Sequence, residues 1–297
     1  MQDNGKNDLG RRMSEMCEHE KEAAKRIGLI ALDLDGTTLR SDRQVGERTE
    51  RALTEAARRG VHVVIATGRS LHSLPQEALA VEGIRYAITS NGAKIVRLTD
   101  REIIYSNCIA PDAVRRICDI LKKLPNVVEI FIDGQAYAEA GKLTDLGRYG
   151  IEGLSAEYVL STRKPVDGLF EFMEEHIDEI ENINVRLKAS DDKKQLWQTF
   201  EKSGDVTVTS SFMQNIEIGG GTTSKANAML TLADMLCVPH EGVMACGDGL
   251  NDLAMLRAAG LAVAMKNSVP EVLEIADFIT EDNNHDGVGA AVEKFVL

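Results

Sequence analysis

Two aspartates one residue apart close the apolar run Ile30 to Leu39, "IALDLDGTTL". Within a strand, residues i and i+2 share a face, so Asp33 and Asp35 are expected to crowd like charges into one small volume. That is costly unless a cation or a proton relieves it. Plain readings compete with a chemical one. Asp-Gly is a strong turn signal, and Thr37 or Thr38 suits a helix N-cap. A calcium loop of the EF-hand kind is excluded, because its twelfth position holds Gln44 rather than glutamate. Three more polar clusters follow: "ATGRS", where Thr67 ends "VHVVIA"; "TTSKA", where Lys225 enters a helical stretch; and "GDGLND", where Asp248 follows "VMAC" and Asn251 and Asp252 open a helix. Taken singly, these are a cap, a solvated lysine and a first-turn carboxylate favoured by the helix dipole. Lys225 fits its plain reading worst, since a lysine at a helix N-terminus opposes the dipole and calls for an anion.

Taken together, the clusters solve one chemical problem. Carboxylates converging at a strand edge suit Mg2+, which takes few protein ligands and keeps several waters. The ion would let Asp33 stay ionised beside Asp35 and approach an anionic phosphate. Thr67, Lys225, Asn251 and backbone N–H groups of the Gly-rich turns, that of Gly68 among them, would bind the phosphoryl oxygens. Asp33 and Asp35 then read as a nucleophile and its acid/base partner.

Such clusters must be held at strand ends, and the patterning supplies strands. From Leu29, short apolar runs ("LIALDLDG", "VHVVIATGR", "IRYAITSNGA") alternate with helical stretches such as "GERTERALTEAARRG". This is the signature of parallel βαβ units. The rhythm returns near the C-terminus in "GVMACGDG", "LAVAM" and "DFIT". The expected fold is therefore α/β, a Rossmann-like doubly wound and mostly parallel sheet, whose ligands bind beyond the carboxyl ends of the strands. Between the halves the character changes: "VVEIFIDGQAYAE", "INVRLKAS" and "DVTVTSSF" suggest a second, open sheet. The expected organisation is a polar N-terminal tail (1–27), core (28–109), inserted α/β cap (110–215) and core again (216–297).

Composition excludes several classes. A net charge of −13 disfavours nucleic acid, and any phosphate site must be a local positive feature. No apolar run is long enough to span a bilayer, and "MQDNGKNDLGRRMSEMCEHEKEAAKR" lacks the apolar segment of a signal peptide, so a cytoplasmic location is expected. Five scattered cysteines without a CxxC pair read as reduced residues. His62 receives no catalytic role.

In their order, "DLDGTTL", "ATGR", "SNGA", "SK", "GDGLNDLAML", "AVAMKNS" and "DGVGAAV" resemble the haloacid dehalogenase-like hydrolases of the Cof type, subclass IIB, from about Leu29 to the C-terminus. The resemblance implies a phosphatase of small phosphorylated metabolites, sugar phosphates foremost, acting through an aspartyl phosphate. It implies Asp33 as nucleophile and Asp35 as general acid/base. Thr67 and Lys225 bind the transferring group, Asp33, the Asp35 carbonyl and Asp248 hold Mg2+, Asn251 lies beside the phosphate, and Asp252 supports Lys225 and the metal's waters. It also implies that the insertion is a cap that supplies substrate contacts, with "FIDGQAYAE" and "TRKPVDG" as candidate segments. Arg163 and Lys164 in the latter read first as a solvated turn. Ala226 stands where the family usually has glycine, and Thr38 where it often has leucine. A phosphomutase and a silent phosphosugar-binding module remain alternatives, and monomer and homodimer both stay open.

Overall fold

A computed structural model describes residues 26–187, 190–211 and 214–297. Most of the expected tail, 1–25, and Cys17 lie outside the described residues; Ile27 is already buried in the core. Among the described residues the strands form two sheets. The first orders β14 (Phe278–Ile279), β13 (Leu261–Ala264), β12 (Val243–Gly247), β1 (Leu29–Leu32), β2 (His62–Ala66), β3 (Ile84–Thr89), β4 (Lys94–Arg97) and β5 (Glu102–Ser106). All neighbours from β14 to β3 pair in parallel, and β4 and β5 add an antiparallel edge.

The central strands are apolar throughout because both of their faces are covered. Ile30, Leu32, Val63, Ile65, Met244 and Cys246 pack into one buried cluster, while Leu29, Ala31, Val64, Ala66, Val243 and Ala245 pack into another on the opposite face. This even–odd sorting follows from the two-residue period of the pleat. From β1 the chain winds one way through β2 and β3, and after the insertion it winds the other way from β12. The β1–β12 seam is thus the topological switch point, where ligands of such sheets bind.

The second sheet orders β10 (Val206–Thr209), β11 (Asn215–Gly220), β9 (Ile180–Arg186), β6 (Val127–Ile132), β7 (Gln135–Glu139) and β8 (Arg163–Val166). It is antiparallel except for the β7–β8 pair. One face carries Val128, Ile130, Ile132, Ile183, Val185, Ile216 and Ile218, packed with residues of the helices Pro111–Leu121 and Leu169–Glu175. The alternate residues, Glu129, Asn184, Arg186 and Glu217, are buried as well. A sheet whose polar face is buried needs a polar partner for that face, and the first sheet's loops supply it.

The insertion runs further than the expected 215. Asn215–Gly220 pairs with both β9 and β10, so residues 216–220 belong to the second sheet. "NIEIGG" alternates polar and apolar residues like the neighbouring strands, a pattern that belongs to a half-polar sheet rather than to the doubly covered one. The two crossing segments are tied together: the Thr223 hydroxyl donates to the Asn107 carbonyl at 2.8 Å, and the Asn107 amide donates to Thr222 Oγ1 at 3.0 Å.

Candidate active site

Three of the four clusters begin one residue beyond a central strand: Asp33 after β1, Thr67 after β2 and Asp248 after β12. The Asp33 N–H donates to the Cys246 carbonyl at 3.0 Å, which carries the parallel register one residue past Leu32. Asp33 is only 5% exposed. Lys225 opens the helix Lys225–Met235, N-capped by Ser224, whose Oγ accepts from the Asn227 N–H at 3.0 Å. Its Nζ donates to Asp33 Oδ1 at 2.6 Å and to Asp252 Oδ1 at 2.7 Å. The lysine that opposed the helix dipole is thus held by two carboxylates. Its side chain is wholly buried beside Asp33. Asp252 is occupied on both oxygens, since Oδ2 accepts from the N–H groups of Asp248 and Gly249, each at 3.0 Å.

The two aspartates of the opening motif do not share a strand face as expected. The strand ends at Leu32, and the chain turns through Gly36 at φ +83°. A Cβ at Gly36 would stand 2.4 Å from Asp248 Oδ2, so this position needs both the glycine conformation and the missing side chain. Asp33 points inward to Lys225, while the Asp35 side chain is 49% exposed and gripped by Arg69. Arg69 Nε donates to Asp35 Oδ2 at 2.7 Å and Nη2 to Oδ1 at 2.6 Å. Repulsion is relieved by a turn and a guanidinium as well as by any bound ion. The Thr37 hydroxyl donates to Asp248 Oδ1 at 2.6 Å, and the Thr38 hydroxyl to the Asp33 carbonyl at 2.6 Å, so both threonines tie the turn down.

Asp33, Asp248 and Asp252 each bring a carboxylate oxygen within 4.8 Å of the others. Burial, then the neighbouring Asp252 charge, drives the Asp33 carboxyl well above its usual range, against the opposing pull of Lys225. Burial also pushes Asp248 up to about 6, although the Thr37 hydrogen bond opposes it. Hard oxygen donors with unresolved negative charge fit a hard divalent cation such as Mg2+.

A cavity of about 470 Å³ opens over this group. Its core wall includes Asp33, Thr67, Gly68, Asp248 and Asn251, and its opposite wall includes Phe131, Tyr158, Arg163, Asn184 and Arg186 from the second sheet and its helices. Thr67 Oγ1 accepts from the Arg69 N–H at 3.2 Å. The Asn251 amide reaches the Asn91 side-chain oxygen at 3.5 Å and Ser211 Oγ at 3.4 Å. The expected site residues therefore converge, with Lys225 and Asp252 buried beside Asp33.

Arg163 is no solvated turn. It opens β8, is 7% exposed, and donates from Nη2 to Glu129 Oε2 at 2.7 Å, while Arg186 Nε donates to Glu129 Oε1 at 3.2 Å. Lys164 is exposed, as expected of a surface residue. Burial alone would raise Glu129, yet Arg163 and Arg186 hold it down at about 2. The strand "VVEIFI" contained the signal: one carboxylate inside an apolar run demands a buried cation.

"SNGA" also has a use that the sequence left unassigned. Ser90 and Asn91 both have positive φ, 52° and 56°. The Ser90 hydroxyl donates to Glu181 Oε2 at 2.7 Å and the Asn91 amide donates to Glu217, both in the second sheet. A Cβ at Gly92 would stand 2.1 Å from the Ser224 carbonyl, so this turn abuts the start of the Lys225 helix. It links the helix that carries Lys225 to the opposing sheet.

A switch-point carboxylate held by a buried lysine, facing a cavity between two sheets, is an arrangement that suits a hydrolase with a doubly wound core. The chain belongs to the haloacid dehalogenase-like hydrolase family, whose model matches residues 30–292. It is 30% identical over 278 residues to the 5-amino-6-(5-phospho-D-ribitylamino)uracil phosphatase YcsE of Bacillus subtilis (strain 168), across 91% of this chain and 96% of that protein. It is 32% identical to the phosphatase YwpJ of the same organism, across 88% of this chain and 96% of that one. A solved haloacid dehalogenase-like hydrolase from B. subtilis superposes with a TM-score of 0.80 at 30% identity, covering 90% of this chain and 99% of that one. The protein is a phosphatase of this family acting on small phosphorylated substrates. No described helix is long and apolar enough to cross a membrane.

Proposed function

We propose that this phosphatase is Mg2+-dependent and cytoplasmic, and that it hydrolyses small phosphate monoesters, sugar phosphates foremost, through an aspartyl phosphate at Asp33. One observation carries the reading: a buried carboxylate at the switch point rests on Lys225, with Asp248 and Asp252 close by, and it opens to a substrate-sized cavity. In the first half-reaction an Asp33 oxygen attacks phosphorus as the bond to the leaving oxygen breaks, and Asp35 gives that oxygen its proton. Water then attacks phosphorus, Asp35 takes the water's proton, phosphate departs, and the Asp33 carboxylate is restored. The Thr67 hydroxyl, the Gly68 N–H, the Asn251 amide and the third N–H of Lys225 hold the phosphoryl oxygens.

Asp33, Asp248 and the main-chain carbonyl of Asp35 would hold Mg2+, while Asp252, with both oxygens engaged, supports Lys225 and the turn. The ion, when bound, neutralises charge on the phosphoryl oxygens. The test is phosphate release from a panel of sugar, nucleotide and polyol phosphates and 5-amino-6-(5-phospho-D-ribitylamino)uracil, with Mg2+ and then with EDTA. Release that EDTA stops and Mg2+ restores is expected. Full activity in chelator overturns the metal requirement. A sugar 1-phosphate converted to its 6-phosphate without release makes the protein a mutase, and tight binding without turnover makes it a silent binding module. After one turnover in oxygen-18 water, label in the Asp33 carboxylate rather than in phosphate overturns attack at phosphorus.

A further inference from the structure

Tyr158 lies outside every motif, on the helix Gly153–Thr162 of the inserted unit, yet it touches the catalytic turn through one intermediary. Two guanidiniums lie over its ring: the Arg69 carbon stands 4.9 Å from the ring centroid and the Arg163 carbon 4.7 Å. Arg69 belongs to the loop after β2 and grips both oxygens of Asp35. Arg163 is fixed from behind by Glu129, which is fully buried. Carboxylate, guanidinium, ring, guanidinium and carboxylate thus alternate from the catalytic turn to the floor of the second sheet.

Asp35 needs such help. It sits on a turn beyond the strand end with its side chain half exposed. An ion pair that faces water holds its geometry weakly, whereas a guanidinium stacked on an aromatic face is both attracted and shielded from solvent. We propose that Tyr158 is a positioning residue for Asp35. Its ring, braced by Arg163, clamps Arg69, and Arg69 holds the Asp35 carboxyl in the attitude that serves proton transfer. Because Tyr158 comes from the inserted unit, the acid is fixed only while that unit covers the site. The inference rests on the reading of Asp35 as the acid/base.

The experiment compares p-nitrophenyl phosphate with phenyl phosphate, esters of nearly the same shape whose leaving groups differ in their need for a proton. The full chain is assayed with Mg2+. Tyr158→Leu should lower kcat/KM for phenyl phosphate about tenfold more than for p-nitrophenyl phosphate, a fraction of what a general acid supplies. Tyr158→Phe, which keeps the ring, should hold the wild-type ratio within about twofold. Asp35→Asn should shift the ratio further, and adding Tyr158→Leu to it should shift the ratio no more, since both act on one group. Equal losses on both esters, or a further shift in the double variant, overturn the positioning role and leave Tyr158 a substrate contact. A Tyr158→Phe ratio that matches Tyr158→Leu overturns it too. Should Tyr158→Leu fail to fold, Tyr158→Met carries the same expectation. An unchanged ratio in Asp35→Asn alone overturns the acid/base reading itself, and the inference with it, and the single variant tells that failure from the other.

Discussion

Two buried ionic clusters bound the same cavity and are balanced in opposite ways. In the core, the Lys225 ammonium serves Asp33 and Asp252 while Asp248 crowds in beside them. In the cap sheet, the Glu129 carboxylate is served by Arg163, Arg186 and Asn184. Asp33 and Glu129 are both buried, yet Asp33 is driven well above its usual range while Glu129 is held at about 2. The cap cluster is satisfied and fixes a sheet. The core cluster is left short of positive charge, and such unresolved electrostatics mark a site that acts on a ligand.

The largest expected effect tests the core side of this contrast. Asp33→Asn should abolish turnover of every ester, by about 10⁴-fold or more, because it removes the proposed nucleophile. The same change removes one charge from a crowded group while Lys225 keeps Asp252. The melting temperature without added metal should therefore equal or exceed that of the wild type. A clear fall in Tm would show that this cluster, like the other, is chiefly structural.

Glu129→Gln tests the cap side. Removing one partner of a buried ion pair costs about 3–5 kcal/mol, and here two guanidiniums lose their carboxylate. Urea unfolding should show that loss at neutral pH. The folded-state value of about 2 lies below the ordinary 4.5, so the carboxylate's contribution is complete above about pH 4.5 and disappears as pH falls toward 2. The stability gap between wild type and Glu129→Gln should shrink across that window. A gap that stays constant with pH would mean that packing, not charge, sets it.

The same contrast explains what was legible in the sequence. Asp33, Thr67, Lys225 and Asp248 sit where apolar strands or a helix break into polar residues, and that punctuation depends on local patterning alone. The fold followed from the same signal, because doubly covered strands are continuous apolar runs. The cap wall depends on pairing across strands. Arg163 meets Glu129, 34 positions earlier, only after β6, β7 and β8 are laid side by side. In isolation "TRKPVDG" has the composition of a turn, so Arg163 reads as solvated. The alternation in "INVRLKAS" was visible, but a polar strand face reads as solvent-facing unless another body is known to cover it. Arg69 was visible in "ATGRS" without a role, because Asp35 was expected to share the strand face of Asp33.

The smallest expected effect concerns Ala226, which follows Lys225 in the helix Lys225–Met235 where the family usually has glycine. Ala226 is buried, and alanine favours a helix over glycine by up to about 1 kcal/mol, less in the first turn than in the interior. Ala226→Gly should therefore lower the urea midpoint slightly. Catalysis should change less. The Lys225 ammonium is placed by its two carboxylates and the helix start by the Ser224 cap, and neither contact uses the Ala226 side chain. The expected kcat/KM on p-nitrophenyl phosphate lies within about twofold of wild type, since a change of a few tenths of a kcal/mol in local order is less than a factor of ten in rate. A tenfold rise would mean that the methyl group hinders the approach of phosphate to the backbone of this turn. The position of the core lysine would then be set by the ligand as much as by Asp33 and Asp252, and the difference between the two clusters would extend to the backbone that carries them.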